Sequence, residues 1–253
     1  MLIKEKILKK KINTLFLKLK IKRGSKIILH SNTAGILQFN NKEKSLDLLF
    51  NMLIKKIGNN GTLIIPTYNY DFTKGKTFDK KKSPSQVGLF SNYLLKKFSF
   101  NRSNDPIFSH LIFGKLSSKL IKIECKEVFG KQSIFNLLEK LNFRIICFCC
   151  SPATITFNHF IENKMRVKYR FKKKFIGKIK NKNSYNTKFL TYYVGKKNIN
   201  YMIKNKNIIK LVDNINFLKV NFGKFICYSV DAKFYSKAIQ SGIRENEKFL
   251  IEK

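Results

Sequence analysis

The chain has 253 residues, of which 43% are hydrophobic and 13% aromatic, and this composition argues against a disordered chain. No run of 18 or more uncharged apolar residues occurs, which argues against a membrane-spanning helix. The basic N-terminal segment lacks the apolar stretch of a secretory signal, so a globular protein of the cytoplasm is predicted.

The formal net charge is +37, and all but six of the 52 basic residues are lysines. The lysines are spread along the chain, whereas nucleic-acid-binding proteins typically concentrate their charge and use arginine for bidentate contacts. We therefore expect no nucleic-acid partner, although the diffuse positive field attracts anionic ligands. A basic nucleic-acid-binding protein without catalysis is the alternative interpretation.

The first 165 residues alternate between short apolar runs, typical of buried strands, and segments with apolar residues at helical spacing. Strands are predicted at Lys26–His30, Thr62–Ile65 and Arg144–Cys150. Helices are predicted at Glu43–Ile57, Val87–Phe98, Ser133–Leu141 and Thr156–Met165. This alternation predicts an α/β fold in which helices flank a central mixed β-sheet.

The remaining residues are less regular and predict a β-rich C-terminal elaboration. Strands are predicted at Tyr169–Ile179, Phe189–Val194 and Phe222–Ser229, and helices at Asn198–Val212 and Ala232–Ser241. No Pro-, Gly- or Ser-rich linker interrupts the chain. Residues 1–253 are therefore expected to form one domain, with a motif-bearing part (1–165) and a C-terminal part (166–253).

A series of short polar and glycine-containing segments follows the predicted strands. In chain order they are Gly24–Ser31, Gly61–Thr67, Phe78-Asp79 with Ser83–Ser85 and Gly88, Asn101–Ser109 with Gly114, Phe129-Gly130, and Thr156–Glu162. Their order and spacing resemble the aminoglycoside 3-N-acetyltransferase family over about residues 15 to 177. Each segment alone is unspecific, so the resemblance depends on their joint order.

The resemblance implies an enzyme that transfers an acetyl group from acetyl-CoA, the acyl-donor co-substrate, to an amine. The expected partner is an amine-bearing small molecule, an amino sugar or aminoglycoside, and no metal ion is expected. Whether the chain forms a homo-oligomer stays open.

Forming an amide requires a base, because a protonated amine has no lone pair, and histidine titrates nearest to neutral pH. Among the three histidines, only His159 is followed three residues later by a carboxylate, Glu162, which would share one helix face with it. Spacing alone favours a surface pair without a role. The resemblance implies instead that His159 is the general base and that Glu162 orients it.

We expect direct transfer rather than an acyl-enzyme intermediate. Three of the five cysteines, Cys147, Cys149 and Cys150, fall in one predicted apolar strand, where burial keeps thiols reduced and inert.

A short polar loop follows the first predicted strand and contains His30, Ser31, Asn32 and Thr33. An ordinary strand-to-helix turn explains it without the resemblance. With the resemblance, these residues are expected to contact the pantetheine arm or pyrophosphate of the donor. Many family members have serine where Asn32 stands, which leaves a contact at that position open.

Arg102, Ser103 and Ser109 form a second polar cluster. The arginine is expected either to bind a phosphate of the donor or to bond backbone carbonyls and organise a loop. Asp71 and Asp79 are expected either to bind the acceptor amine or to form turns.

Charge bears on the acceptor. Aminoglycosides are polycations, and a site for them needs carboxylates, yet 15 acidic residues face 52 basic ones. We therefore hypothesise an acceptor that is neutral or anionic overall, such as a nucleotide-linked or cell-surface amino sugar.

Overall fold

The computed structural model describes residues 2–39, 43–181, 184–214 and 217–251. The strands are β1 (Lys26–Ser31), β2 (Thr62–Pro66), β3 (Phe78–Asp79), β4 (His110–Gly114), β5 (Arg144–Phe148), β6 (Arg170–Asn181), β7 (Ser184–Gly195), β8 (Leu218–Phe222) and β9 (Phe225–Asp231). The helices are α1 (Leu2–Lys18), α2 (Ala34–Leu37), α3 (Glu43–Ile57), α4 (Leu89–Phe98), α5 (Ser117–Ile121), α6 (Ile134–Lys140), α7 (Phe157–Met165), α8 (Asn205–Asn214) and α9 (Ala232–Glu245).

The main sheet has the strand order β4-β2-β1-β5-β9-β8. The central strand β1 runs parallel to β2 and β5, and the outer pairings are antiparallel. A second sheet has the order β3-β6-β7. The predicted fold class, α/β with a central mixed sheet flanked by helices and a β-rich C-terminal elaboration, is confirmed.

Side chains of the central strands alternate between two buried layers, as the two-residue period of a strand requires. Ile28 and Ile145 pack with α6, α7 and α9 on one face. Ile27 and Ile146 pack with α1, α3 and α4 on the other face. Both faces of the sheet are therefore covered, and functional side chains are left to the strand ends.

The C-terminal part contributes to both sheets. Strands β8 and β9 complete one edge of the main sheet, and β5 pairs with β9 from Arg144 opposite Asp231 to Cys147 opposite Tyr228. The long hairpin of β6 and β7 pairs with β3 of the N-terminal part. No helix within the described ranges is both long and apolar enough to span a bilayer.

Three sequence predictions need correction. The strand predicted at Phe222–Ser229 is two strands, because Gly223, with φ of +61°, turns the chain between β8 and β9. The strand predicted to reach Cys150 ends at Phe148, since Cys149 has a left-handed φ of +56°. The helix predicted at Asn198–Val212 begins only at Asn205.

Candidate active site

The predicted acid–base pair lies on α7. This helix begins after Thr156 and ends at Met165, where the left-handed backbone of Arg166 terminates it. Residues three apart on a helix are neighbours, and His159 Nδ1 lies 2.6 Å from Glu162 Oε2. The His159 side chain is 26% exposed, whereas that of Glu162 is completely buried. The imidazole therefore meets solvent while its carboxylate partner does not.

Two further side chains hold Glu162. The Tyr169 hydroxyl donates to Glu162 Oε1 at 2.9 Å, and Arg170 Nε lies 2.7 Å from Oε2. Burial by itself would raise the pKa of Glu162, but the interactions with His159 and Arg170 outweigh burial and keep that pKa below its usual range. Glu162 is thus an anion at neutral pH, which favours the imidazole tautomer that donates from Nδ1 and leaves Nε2 to accept a proton.

A narrow cleft of about 320 Å³ opens at the carboxyl ends of β1 and β2. Polar or small side chains that line it are His30, Ser31, Gly88, Ser91, Cys150, Thr154 and Thr156. The backbone N–H of His159 donates to the backbone carbonyl of Thr156 at 3.0 Å. The general-base candidate therefore lies one helical turn beyond a residue that lines the cleft.

His30 is a neutral imidazole at this cleft. Burial lowers the pKa of His30 to about 4, and no described residue hydrogen-bonds to its Nε2. Buried polar atoms are nearly always partnered, and this nitrogen, in a residue that lines the cleft, is one of the few exceptions among the described residues.

The second buried histidine is tied into the protein. Tyr68 Oη lies 3.3 Å from His110 Nε2, and the ring of His110 packs edge-on against Phe135. Burial lowers the pKa of His110 to about 3, so this imidazole is also neutral.

The loop after β1 divides into two parts. His30 and Ser31 line the cleft. Asn32 is exposed, and its Oδ1 accepts from the backbone N–H of Ala34 at 3.0 Å. Thr33 precedes α2 without capping it by its side chain. Asn32 and Thr33 thus belong to the strand-to-helix turn between β1 and α2.

Arg102, Ser103 and Ser109 are all fully buried. Arg102 donates to the carbonyl oxygens of Thr67 and Ser83 at 2.7 and 2.5 Å and to the Ser109 hydroxyl at 2.9 Å. The Ser103 hydroxyl accepts from the backbone N–H of His110. This geometry is that of the loop-organising alternative, with no exposed guanidinium for a phosphate.

Asp79 forms a turn, whereas Asp71 bonds to other side chains. Asp71 pairs with Lys76 at 3.4 Å and accepts from the Gln86 amide. Asp79 Oδ1 accepts from the backbone N–H groups of Lys81 and Lys82 at 2.8 and 3.1 Å.

The cysteines do not behave alike. Cys149 is buried against Cys227, with the sulfur atoms 3.5 Å apart, and this contact together with burial raises the pKa of Cys149. Cys150 lies beyond the end of β5 and lines the cleft, and the contact with Cys147 lowers the pKa of Cys150. The expectation of buried thiols within one strand therefore fits Cys147 alone, because Cys149, although buried, and Cys150, at the cleft, both lie beyond the end of β5.

Sequence comparison assigns most of the chain to one family. The model of the aminoglycoside 3-N-acetyltransferase family matches residues 28–221. No curated protein sequence matches the chain.

Solved structures share the fold at low sequence identity. YokD from Bacillus subtilis is 15% identical, with 95% of this chain and 94% of that chain covered and a TM-score of 0.78. The apoenzyme of aminoglycoside acetyltransferase AAC(3)-IVa is also 15% identical, with 97% and 91% covered and a TM-score of 0.75. AAC-IIIb in a binary complex with CoASH is 12% identical, with 94% and 96% covered and a TM-score of 0.78.

Proposed function

Because the chain belongs to the aminoglycoside 3-N-acetyltransferase family, we propose that it moves an acetyl group from acetyl-CoA to an amino group of an amino sugar or aminoglycoside-like molecule. The observation that carries the proposal is the 2.6 Å contact between His159 and the buried carboxylate of Glu162. It supplies a proton acceptor fixed in one orientation, one helical turn from Thr156, which lines the cleft.

His159 is the general base in the proposed reaction. With Nδ1 bonded to Glu162, its Nε2 takes a proton from the acceptor nitrogen as that nitrogen attacks the thioester carbonyl carbon. The new C–N bond forms, the C–S bond breaks, and the thiolate of coenzyme A leaves. Glu162 stabilises the imidazolium that results. Proton transfer of this kind typically contributes about 10²- to 10⁴-fold to a rate.

The cleft at β1 is the proposed position of the pantetheine arm. It is narrow, its lining includes Gly88 and Ser31, and the unpartnered His30 Nε2 offers a hydrogen bond to an amide or carbonyl of that arm. The complex of AAC-IIIb with CoASH supports use of this donor. N–H and hydroxyl donors of the cleft, Ser31 among them, are the proposed partners of the oxyanion.

Asn32, Arg102, Ser103 and Ser109 do not enter the proposed donor site, because their polar groups serve turns and loops or are fully buried. Thr33 stays a candidate, since its side chain is partly exposed and caps no helix. Asp71 and Asp79 stay candidates for the acceptor side only through their partial exposure.

The acceptor is proposed to be neutral or anionic overall. Structural relatives bind the polycations sisomicin (AAC-VIa) and gentamicin (an AAC(3)-IVa variant). Here the net charge of +37 opposes such ligands. A nucleotide-linked or cell-surface amino sugar is compatible with that charge. We further propose that residues 1–253 form a single domain and that the reaction takes place in the cytoplasm.

The decisive measurement is release of coenzyme A thiol from acetyl-CoA with a panel of amines, using the wild type and His159→Ala. We expect turnover with at least one nucleotide-linked amino sugar and a loss of about 10²-fold or more in kcat for the variant. Lys164→Ala, an exposed change on the same helix, is the matched control. Equal turnover by the wild type and His159→Ala would refute the role of His159 as general base. Faster acetylation of kanamycin-like drugs than of nucleotide-linked amino sugars would refute the proposed class of acceptor.

A further inference from the structure

A second, larger cavity of about 690 Å³ lies away from the cleft at β1. Residues of β3, β6 and β7 and of the loop between α5 and α6 line it. Four lysines contribute to the lining, Lys80, Lys126, Lys174 and Lys188, together with one carboxylate, Glu124. The lining therefore carries an excess of three positive charges.

Within the described part of the chain, none of the four cavity lysines forms an ion pair. Lys188 acts electrostatically on the half-buried Asp105 and opposes the rise that burial causes in the pKa of that carboxyl. Lys80 is half-buried and donates to Asn104 Oδ1 at 3.2 Å. Burial, and to a smaller extent the nearby Arg102, lower the pKa of Lys80, so the charged form of this lysine is held at a free-energy cost. An anion in the cavity would offset that cost.

The rest of the lining suits a nucleotide. Phe189 presents aromatic surface, and Asn186 and Thr187 present amide and hydroxyl groups that bond neutral polar atoms. The volume falls within the roughly 300–1,000 Å³ of small-molecule sites. Lysines bind phosphate as point charges, and the three excess positive charges are enough to neutralise the two negative charges of the diphosphate in a nucleotide-linked sugar.

The cavity and the general base adjoin the same loop. Lys126 and Gln132 of that loop line the cavity. Phe129, between them in sequence, packs its ring edge-on to the imidazole of His159, with centroids 5.8 Å apart. The Asn163 amide of α7 donates to the carbonyl of Phe129 at 2.9 Å. The loop that lines the cavity therefore also contacts His159, the proposed general base.

We propose that this lysine-lined cavity binds the diphosphate of a nucleotide-linked acceptor. The inference rests on the proposed acetyl transfer and names the part of the acceptor that the protein recognises. The shared chemistry of phosphate also occurs in coenzyme A, so the test must separate the two sources.

The test is isothermal titration of the full chain, without acyl donor, with UDP, uridine and coenzyme A as probes. The double variant Lys174→Gln/Lys188→Gln removes two cavity charges. Lys173→Gln/Lys178→Gln removes two charges from exposed positions of β6 outside the cavity and is the matched control. Unfolding by urea confirms that both variants are folded.

We expect the wild type to bind UDP and to bind uridine much more weakly. The cavity variant should bind UDP about tenfold or more weakly, the control less than twofold, and coenzyme A equally in all three proteins. Equal losses of UDP affinity in both variants would show that UDP responds only to the overall positive charge of the protein, which would overturn the proposal. A loss confined to coenzyme A would assign the cavity to the donor, and absence of UDP binding would also overturn the proposal. Because no turnover is measured, failure of acetyl transfer cannot produce these results.

Discussion

Arg170 Nε lies 2.7 Å from Glu162 Oε2, with the two side chains 5% and 0% exposed. The arginine begins β6 and the glutamate lies on α7, so this ion pair joins the proposed catalytic helix to the second sheet. Arg170 thereby holds the carboxylate of Glu162 in place, and the same carboxylate orients His159.

Arg170→Met should destabilise the protein by about 3–5 kcal/mol, because it leaves a buried carboxylate with less compensation. Urea unfolding at pH 7 measures this loss. Arg166→Met on the preceding turn is the control and should cost little. A change below about 1 kcal/mol in Arg170→Met would show that the pair carries no net stability.

The pH dependence of stability should report Glu162. Its pKa is lowered in the folded state, so its contribution is full above the unfolded value of about 4.3 and is lost as pH falls through the lower folded value. Glu162→Gln should therefore remove part of the decline in unfolding free energy below about pH 4.5. Urea unfolding between pH 3 and 7 measures it, and an unchanged acid slope in the variant would contradict the assignment.

Arg102→Met should destabilise the fold by several kcal/mol, since each buried acceptor left without a donor costs about 1–3 kcal/mol. Under the loop-organising interpretation, the KM for acetyl-CoA should not change in any protein that still folds. Arg102→Lys provides the comparison, because it keeps the charge and loses the planar fork. A large rise in KM at retained stability would restore the phosphate-binding hypothesis.

Cys150→Ala tests direct transfer at the one cysteine found to line the cleft. We expect turnover within several-fold of the wild type, because the acceptor nitrogen attacks the thioester without a thiol intermediate. Thiol release on mixing with acetyl-CoA, followed without acceptor, should show no burst. Abolished turnover with the fold intact, or a stoichiometric burst that Cys150→Ala removes, would establish an acyl-enzyme instead.

Local patterns predict the central elements and the acid–base pair. Helix α3 has the predicted bounds, because its apolar residues recur at helical spacing from Glu43 to Ile57. His159 and Glu162 can be paired because both lie on one helix, where spacing along the chain determines spacing in space.

Contacts between distant segments cannot be predicted in this way. Tyr169 and Arg170 reach Glu162 from outside α7, and no local period encodes that approach. The five-residue strand β4 follows a turn-rich segment and escapes prediction, since so short a run carries little periodic signal. Helix α1 escapes it although Leu8, Ile12 and Leu15 are buried at helical spacing, because its many lysines obscure the apolar stripe.

The pairing of β5 with β9 also affects how the molecule is made. Until residues 225–231 leave the ribosome, the apolar strand that carries Cys147 presents an open hydrogen-bonding edge. A chain cut after residue 221 would retain the whole family match yet expose this edge, which invites aggregation. The edge of β5 is therefore covered only after β9 has been synthesised.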